Sequence, residues 1–166
     1  MSASSTQDEK ARRDLALNRL AQSVPYNGFL GVDFQRMGDE LTGILSYDWT
    51  LIGNPALPAL HGGVIGAFLE ITAQMQLTWG QVWTQFEDGG ETAERIDQGN
   101  FPAVPKTIDI TVDYLRSGKP RDAYARASVQ KLGRRVANVR IEAWQDARSK
   151  PIAAAHGHFM LPGADE

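Results

Sequence analysis

The run from His61 to Gln85, HGGVIGAFLEITAQMQLTWGQVWTQ, decides most of what this chain can fold into. Val64, Ile65, Phe68, Leu69, Ile71, Met75, Leu77, Trp79, Val82 and Trp83 recur at helical spacing, yet they cover most of the circumference rather than one stripe. A helix that is apolar nearly all round is a buried helix, so another part of the chain must wrap it. Glu70, Gln74 and Gln76 interrupt the run, which excludes a membrane-spanning helix. The wrapper that fits a helix of this length is a strongly curved sheet.

The flanking sequence supplies one. Residues 5–22 read as a first helix, capped by Ser4, Ser5 or Thr6, with Asp8 and Glu9 at its positive end and Ala11, Leu15, Leu17, Leu20 and Ala21 as a partial apolar face. Pro25 and Asn27-Gly28 break the chain, and 29–37 and 41–47 follow as a hairpin about Gly38-Asp39. Gly53 to Pro58 is a loop, since its two prolines remove backbone donors. Beyond the central helix, 86–105 is polar, with five acids against Arg95 alone and the breakers Gly89-Gly90, Pro102 and Pro105; a stretch of this kind reads as a functional lid or mobile segment. In the next strand Ile108, Ile110, Val112 and Tyr114 alternate with Thr107, Asp109, Thr111 and Asp113. Strands over 122–131, 136–144 and 152–161 complete the set, joined by short turns that imply antiparallel neighbours. The expected fold is α+β, a curved antiparallel sheet wrapped around the long central helix, with an N-terminal helix. We divide the chain into an N-terminal helical extension, 1–24, and a single domain, 25–166, in which 86–105 is a polar insertion. Six strands leave two sheet edges, and open edges invite self-association.

Composition narrows the function. With 166 residues there is room for one sizeable core. Twenty acids against 17 bases leave a net charge of −3, against the basic excess of a nucleic-acid binder. Without cysteine there is no disulfide framework, no thiolate metal cluster and no thiol nucleophile. The N-terminus lacks the apolar stretch of an export signal, and a cytoplasmic protein is expected.

Chemistry concentrates between Asn54 and Glu70. Glycines at the start of a helix allow close approach to backbone whose first-turn N–H groups are unpaired, and those donors suit an oxyanion. Glu70 then stands in an otherwise apolar helix, where a carboxylate is costly unless partnered or functional. The competing readings are a hydrogen-bonded structural acid on a polar strip with Thr72 and Gln74, and close packing as the reason for Gly62-Gly63. His-Gly-Gly at 61–63 followed by Val64-Ile65 and an acid at Glu70 resembles the hot-dog-fold acyl-CoA thioesterases, of the phenylacetic-acid-degradation and 4-hydroxybenzoyl-CoA types. The resemblance runs from about Leu30 to Leu161 and takes in Tyr114-Leu115-Arg116 at a strand end and Gly133-Arg134 at a hairpin.

That resemblance implies hydrolysis of acyl-CoA to free acid and CoA. The N–H of Gly62 would polarise the thioester carbonyl, with Gly63 beside the substrate. Glu70 would be nucleophile or general base, and Asn54 would position water or substrate. His61 belongs to the same site, as an orienting group. Asn54 stands one residue further from His61 than is common in relatives, and Gln74 replaces a hydroxyl residue carried one turn after the acid in the 4-hydroxybenzoyl-CoA branch. No metal or organic cofactor is implied; coenzyme A arrives as part of the substrate.

Spacing adds a constraint of its own. Gly62 and Glu70 are eight residues apart, about 12 Å along a helix. A carbonyl cannot easily be reached by both from one helix, so we expect the site to form across a homodimer, or a dimer of dimers, with Gly62 of one subunit facing Glu70 of another. Residues 116–140 carry eight bases against Asp122 alone. Arg116, Lys119, Arg134 and Arg135 sit at turns and are expected to grip the phosphates of CoA, although part of the run is a solvated sheet face. His156 and His158 share a face of the last strand, but two ligands do not make a metal site. The rival functions are a non-catalytic acyl-CoA-binding module and a hot-dog enoyl-CoA hydratase or dehydratase.

Overall fold

The computed structural model describes the backbone from Ala3 to Gly163 and the side chains from Thr6 onward. The first helix, α1, spans Ala3–Ser23. It begins before Thr6, which therefore lies inside the helix rather than capping it; the capping side chains expected at Ser4 and Ser5 lie outside the described residues. Its buried face is Arg13, Ala16, Leu17, Leu20 and Ala21, which is the i, i+3, i+4, i+7 spacing of a half-buried helix. Leu15, expected on that face, points to solvent. Arg13 is buried because its guanidinium lies 4.0 Å from the centre of the Trp83 ring and pairs with Glu9 and Glu87.

Pro25 opens a second short helix, α2 (Pro25–Leu30), so the first strand starts later than the alternation suggests. Strands β1 (Val32–Met37) and β2 (Glu40–Leu45) form the expected hairpin. The central helix α3 covers Gly62–Asp88, with His61 as its N-cap. Strands β3 (Lys106–Tyr114), β4 (Ala123–Leu132), β5 (Val136–Trp144) and β6 (Ala153–Met160) follow. All six strands join one antiparallel sheet in the order β1-β2-β4-β5-β6-β3, leaving β1 and β3 as its edges.

The sheet curves around α3 because the two surfaces divide the bulk between them. The helix contributes Phe68, Leu69, Met75, Trp79 and Val82, all fully buried. Much of the facing sheet is small: Ala123, Ala125, Ala137, Ala143, Ala153 and Ala155 are buried there. At Gly43 on β2 a side chain would meet Thr72 at 2.9 Å and Phe68 at 3.1 Å, so glycine sets how closely helix and sheet approach. One strip of the first half of α3 stays half-open, running through Gly66, Ala67, Glu70 and Gln74.

Residues 86–105 differ from the loop expected. Phe86 to Asp88 complete α3, and Gly90–Asp97 form a further helix, α4. Gly89 and Gly90, at φ 68° and 57°, turn the chain between the two helices in the left-handed region that glycine tolerates. Ala93 and Ile96 of α4 are buried, and Arg12 clamps Asp97 with two nitrogens. Two acids of this segment, Glu87 and Asp97, therefore serve docking onto α1 through Arg13 and Arg12. Among the described residues no helix is long and apolar enough to cross a membrane.

Candidate active site

The entry to α3 is held by backbone pairing. Ile52 bridges Leu60, the His61 N–H donates to the Leu51 carbonyl at 2.8 Å, and the Leu60 N–H donates to the Gly118 carbonyl at 2.8 Å. His61 is left with extended backbone, φ −62° and ψ 137°, and satisfies most of the first turn by itself. Its ring Nδ1 accepts from the Gly63 N–H at 2.9 Å, and its carbonyl accepts from Val64 and Ile65 at 3.0 and 3.1 Å. With Nδ1 accepting, the neutral ring carries its proton on Nε2. The Gly62 N–H is the first-turn donor with no partner among the described residues. Tyr114, at the end of β3, covers the same turn: its hydroxyl donates to the Gly62 carbonyl at 2.6 Å, and its ring lies 3.3 Å from where a Cβ at Gly62 would stand. The outcome is one free amide hydrogen at the positive end of a 27-residue helix.

Glu70 is two turns further along, half-buried on the open strip. Its Oε1 accepts from the Thr107 hydroxyl at 2.5 Å, and among the described residues it has no cationic partner. Gln74, one turn beyond, donates through Nε2 to the Thr107 oxygen and to the Pro105 carbonyl, each at 3.2 Å. Within one chain Glu70 and Gly62 are not brought together, since the helix separates them by about 12 Å.

The other expected residues distribute unevenly. Asn54 is exposed, and its Oδ1 accepts from the Ala56 N–H at 3.0 Å, folding the loop on itself; no contact joins it to Gly62 or Glu70. Gly63 contributes its amide to the His61 cap. Arg116 donates to the Pro151 carbonyl at 2.7 Å and lines a cleft of about 500 Å³ with Leu60, Gly62, Ile65 and Tyr114. The backbone N–H of Lys119 donates to Gln145 at the same end of the sheet. Arg134 and Arg135 precede β5 and lie at its opposite end, roughly 27 Å away over eight residue steps of strand. One protomer therefore offers no single groove to all four bases.

On the outer face of the sheet, His158 Nδ1 pairs with both oxygens of Asp109, at 2.9 and 3.0 Å, and this hydrogen bond holds the Asp109 carboxyl below its ordinary range. No group of three metal-type ligands occurs among the described residues.

Reasoning from alternation missed Thr107. A strict period of two puts it on the face away from Ile110 and Val112. The strand register shifts between Thr107 and Asp109, however, and this bulge turns Thr107 toward Glu70 and leaves Ile108 51% exposed. Nothing in the residue pattern announces such a bulge. Tyr114 carried a weak signal, as an aromatic residue at a strand end.

The sequence profile of the Thioesterase superfamily matches residues 57–152, more than half of the chain, a span that includes His61, Gly62, Glu70, Gln74, Thr107 and Tyr114 but not Asn54. The chain belongs to the thioesterase superfamily. Among its curated relatives, the Escherichia coli medium/long-chain acyl-CoA thioesterase YigI is 30% identical over 139 residues, 83% of this chain and 86% of that protein. Among solved structures, a Shewanella oneidensis protein described as related to the thioesterase superfamily is 28% identical, with a TM-score of 0.70 over 90% of this chain and 97% of that one. The E. coli PaaI protein of the phenylacetic acid degradation operon, at 15% identity and a TM-score of 0.68, covers 92% of this chain and 95% of its own, and shares the fold. The sheet wrapped around α3 is thus the hot-dog fold of this superfamily, and α1 precedes it in the chain.

Proposed function

We propose that the protein hydrolyses acyl-CoA thioesters to free acid and CoA. The observation that carries this reading is the unpaired Gly62 N–H at the positive end of α3, inside the cleft lined by Arg116. A thioester oxygen accepting from that N–H would be stabilised as charge develops on it. Glu70 of the facing subunit would attack the acyl carbon, or take a proton from a water that does. Collapse of the oxyanion then breaks the C–S bond, and CoA leaves as a thiolate that picks up a proton. By the direct route Glu70 forms an anhydride that water hydrolyses. Neither route needs a metal or an organic cofactor, because a thiolate is a good leaving group.

Two features support a site shared between subunits of a homodimer or a dimer of dimers. The 12 Å between Gly62 and Glu70 along one helix is closed if two such helices pack antiparallel on their open strips. Edge strand β3, with Ile108, Tyr114 and the following Leu115 exposed, offers a surface for that association. Arg116 and Lys119 flank the Gly62 end and are the phosphate-binding candidates there; Arg134 and Arg135 would have to act from the partner's side of the assembly. Asn54 enters the site as a water-positioning group only if its loop opens toward substrate. An acyl-CoA substrate also fits the cytoplasmic location expected of the chain.

The name of the E. coli relative specifies medium- and long-chain acyl groups, so saturated acyl-CoAs of those lengths are the substrates to try first. Wild type should release thiol from members of that panel, and Glu70→Gln should lose turnover by about 100-fold or more while still binding substrate. Tight binding without thiol release by wild type would favour a binding module, and loss of enoyl-CoA absorbance would favour a hydratase.

A further inference from the structure

The contacts around Glu70 assign a direction to every proton in a short chain. The Pro105 carbonyl can only accept, so the group of Gln74 that faces it is the amide nitrogen, which donates. That same nitrogen faces the Thr107 oxygen at 3.2 Å, so Thr107 accepts from Gln74. A threonine hydroxyl has one hydrogen, and it is left for Glu70, whose Oε1 lies 2.5 Å away, a length that belongs to a hydroxyl donating to a carboxylate. For an ionised Glu70 the polarity runs from Gln74 through Thr107 to the acid. The arrangement uses three separate pieces of chain: α3, the segment ahead of β3, and the bulge that turns Thr107 inward.

We propose that Thr107 is a positioning residue for Glu70, and that Gln74 sets the orientation of the Thr107 hydroxyl. This rests on the reading of Glu70 as the reacting acid. Pinning Oε1 fixes a side chain with three rotatable bonds and leaves Oε2 as the oxygen free to meet the acyl carbon or a water. The hydroxyl reaches the acid from the edge strand, whereas the helical position one turn beyond Glu70 holds the amide that steers it. A tether whose only function was to tie α3 to the chain ahead of β3 would need no fixed proton direction and no contact with the acid.

The test measures kcat and KM separately with decanoyl-CoA, or with whichever saturated acyl-CoA wild type turns over fastest. Thr107→Val keeps the shape and removes the hydroxyl; kcat should fall about 10- to 100-fold with KM nearly unchanged, the range expected when a reacting group is misplaced. Thr107→Ser restores the hydroxyl and should recover most of kcat. Gln74→Leu should lower kcat in the wild-type background and change it little in the Thr107→Val background, because its effect passes through the hydroxyl. If Thr107→Val does not fold, the comparison of Thr107→Ser with Thr107→Ala carries the same contrast. Equal kcat for the Val, Ala and wild-type proteins, or full additivity of Gln74→Leu with Thr107→Val, would overturn the proposal. A Glu70→Gln protein that still turns over substrate would instead remove the reading it rests on, so the two failures are distinguishable.

Discussion

At the scale of single residues, the start of α3 is organised by one side chain. His61 caps Gly63 through its ring and takes Val64 and Ile65 through its carbonyl, which singles out Gly62 as the donor available to a substrate. The ring is thereby committed to the cap. His61→Ala should cost about 1 kcal/mol of stability for the lost cap, while His61→Asn, which keeps an acceptor, should lose less. Urea unfolding of the three proteins decides this, and equal midpoints would mean that the ring caps nothing of consequence. Gly62, Gly63 and Glu70 were legible in the sequence because each breaks a local rule: glycines where a helix begins, a charge where the helix is apolar. Thr107 broke no such rule. An ordinary strand threonine is invisible as a site residue until a bulge turns it, and a bulge is a property of two paired strands.

At the scale of elements, α3 and the sheet face it packs on are complementary in bulk, and the tightest point is Gly43 under Phe68 and Thr72. Gly43→Val would set a Cβ 2.9 Å from the Thr72 hydroxyl, with two methyl groups beyond it, and should destabilise the protein by about 1–3 kcal/mol, read as a lower thermal or urea midpoint. An unchanged midpoint would show that the helix can ride up on the sheet without loss. The strands were readable because alternation and short turns are local signals, and β5 begins and ends at the residues expected. The 86–105 segment was not, because its two-turn helix α4 is short and polar, and it gains its place from Ala93 and Ile96 packing and from Arg12 gripping Asp97. Residues distant in sequence decide that element, so a local reading saw only its glycines, prolines and acids.

At the scale of the whole molecule, the parts of the site are separated along one helix. The free N–H lies at one end of the sheet beside Tyr114 and Arg116; the acid lies toward the other, beside Thr107. The bases expected to bind CoA are likewise divided, with Arg116 and Lys119 at one end and Arg134 and Arg135 at the other. A two-fold assembly would bring opposite ends of two chains together and make each half-site whole. The most direct measurement is complementation between two inactive chains. Gly62→Pro removes the amide hydrogen at a helix position where proline is accepted, and His61 already has the extended backbone that precedes a proline. Glu70→Ala removes the acid. A one-to-one mixture that reassembles at random makes half its dimers mixed, each with one intact site, so about a quarter of wild-type thiol release should return. Mixed dimers that form, fold and release no thiol would contradict a site built from two chains.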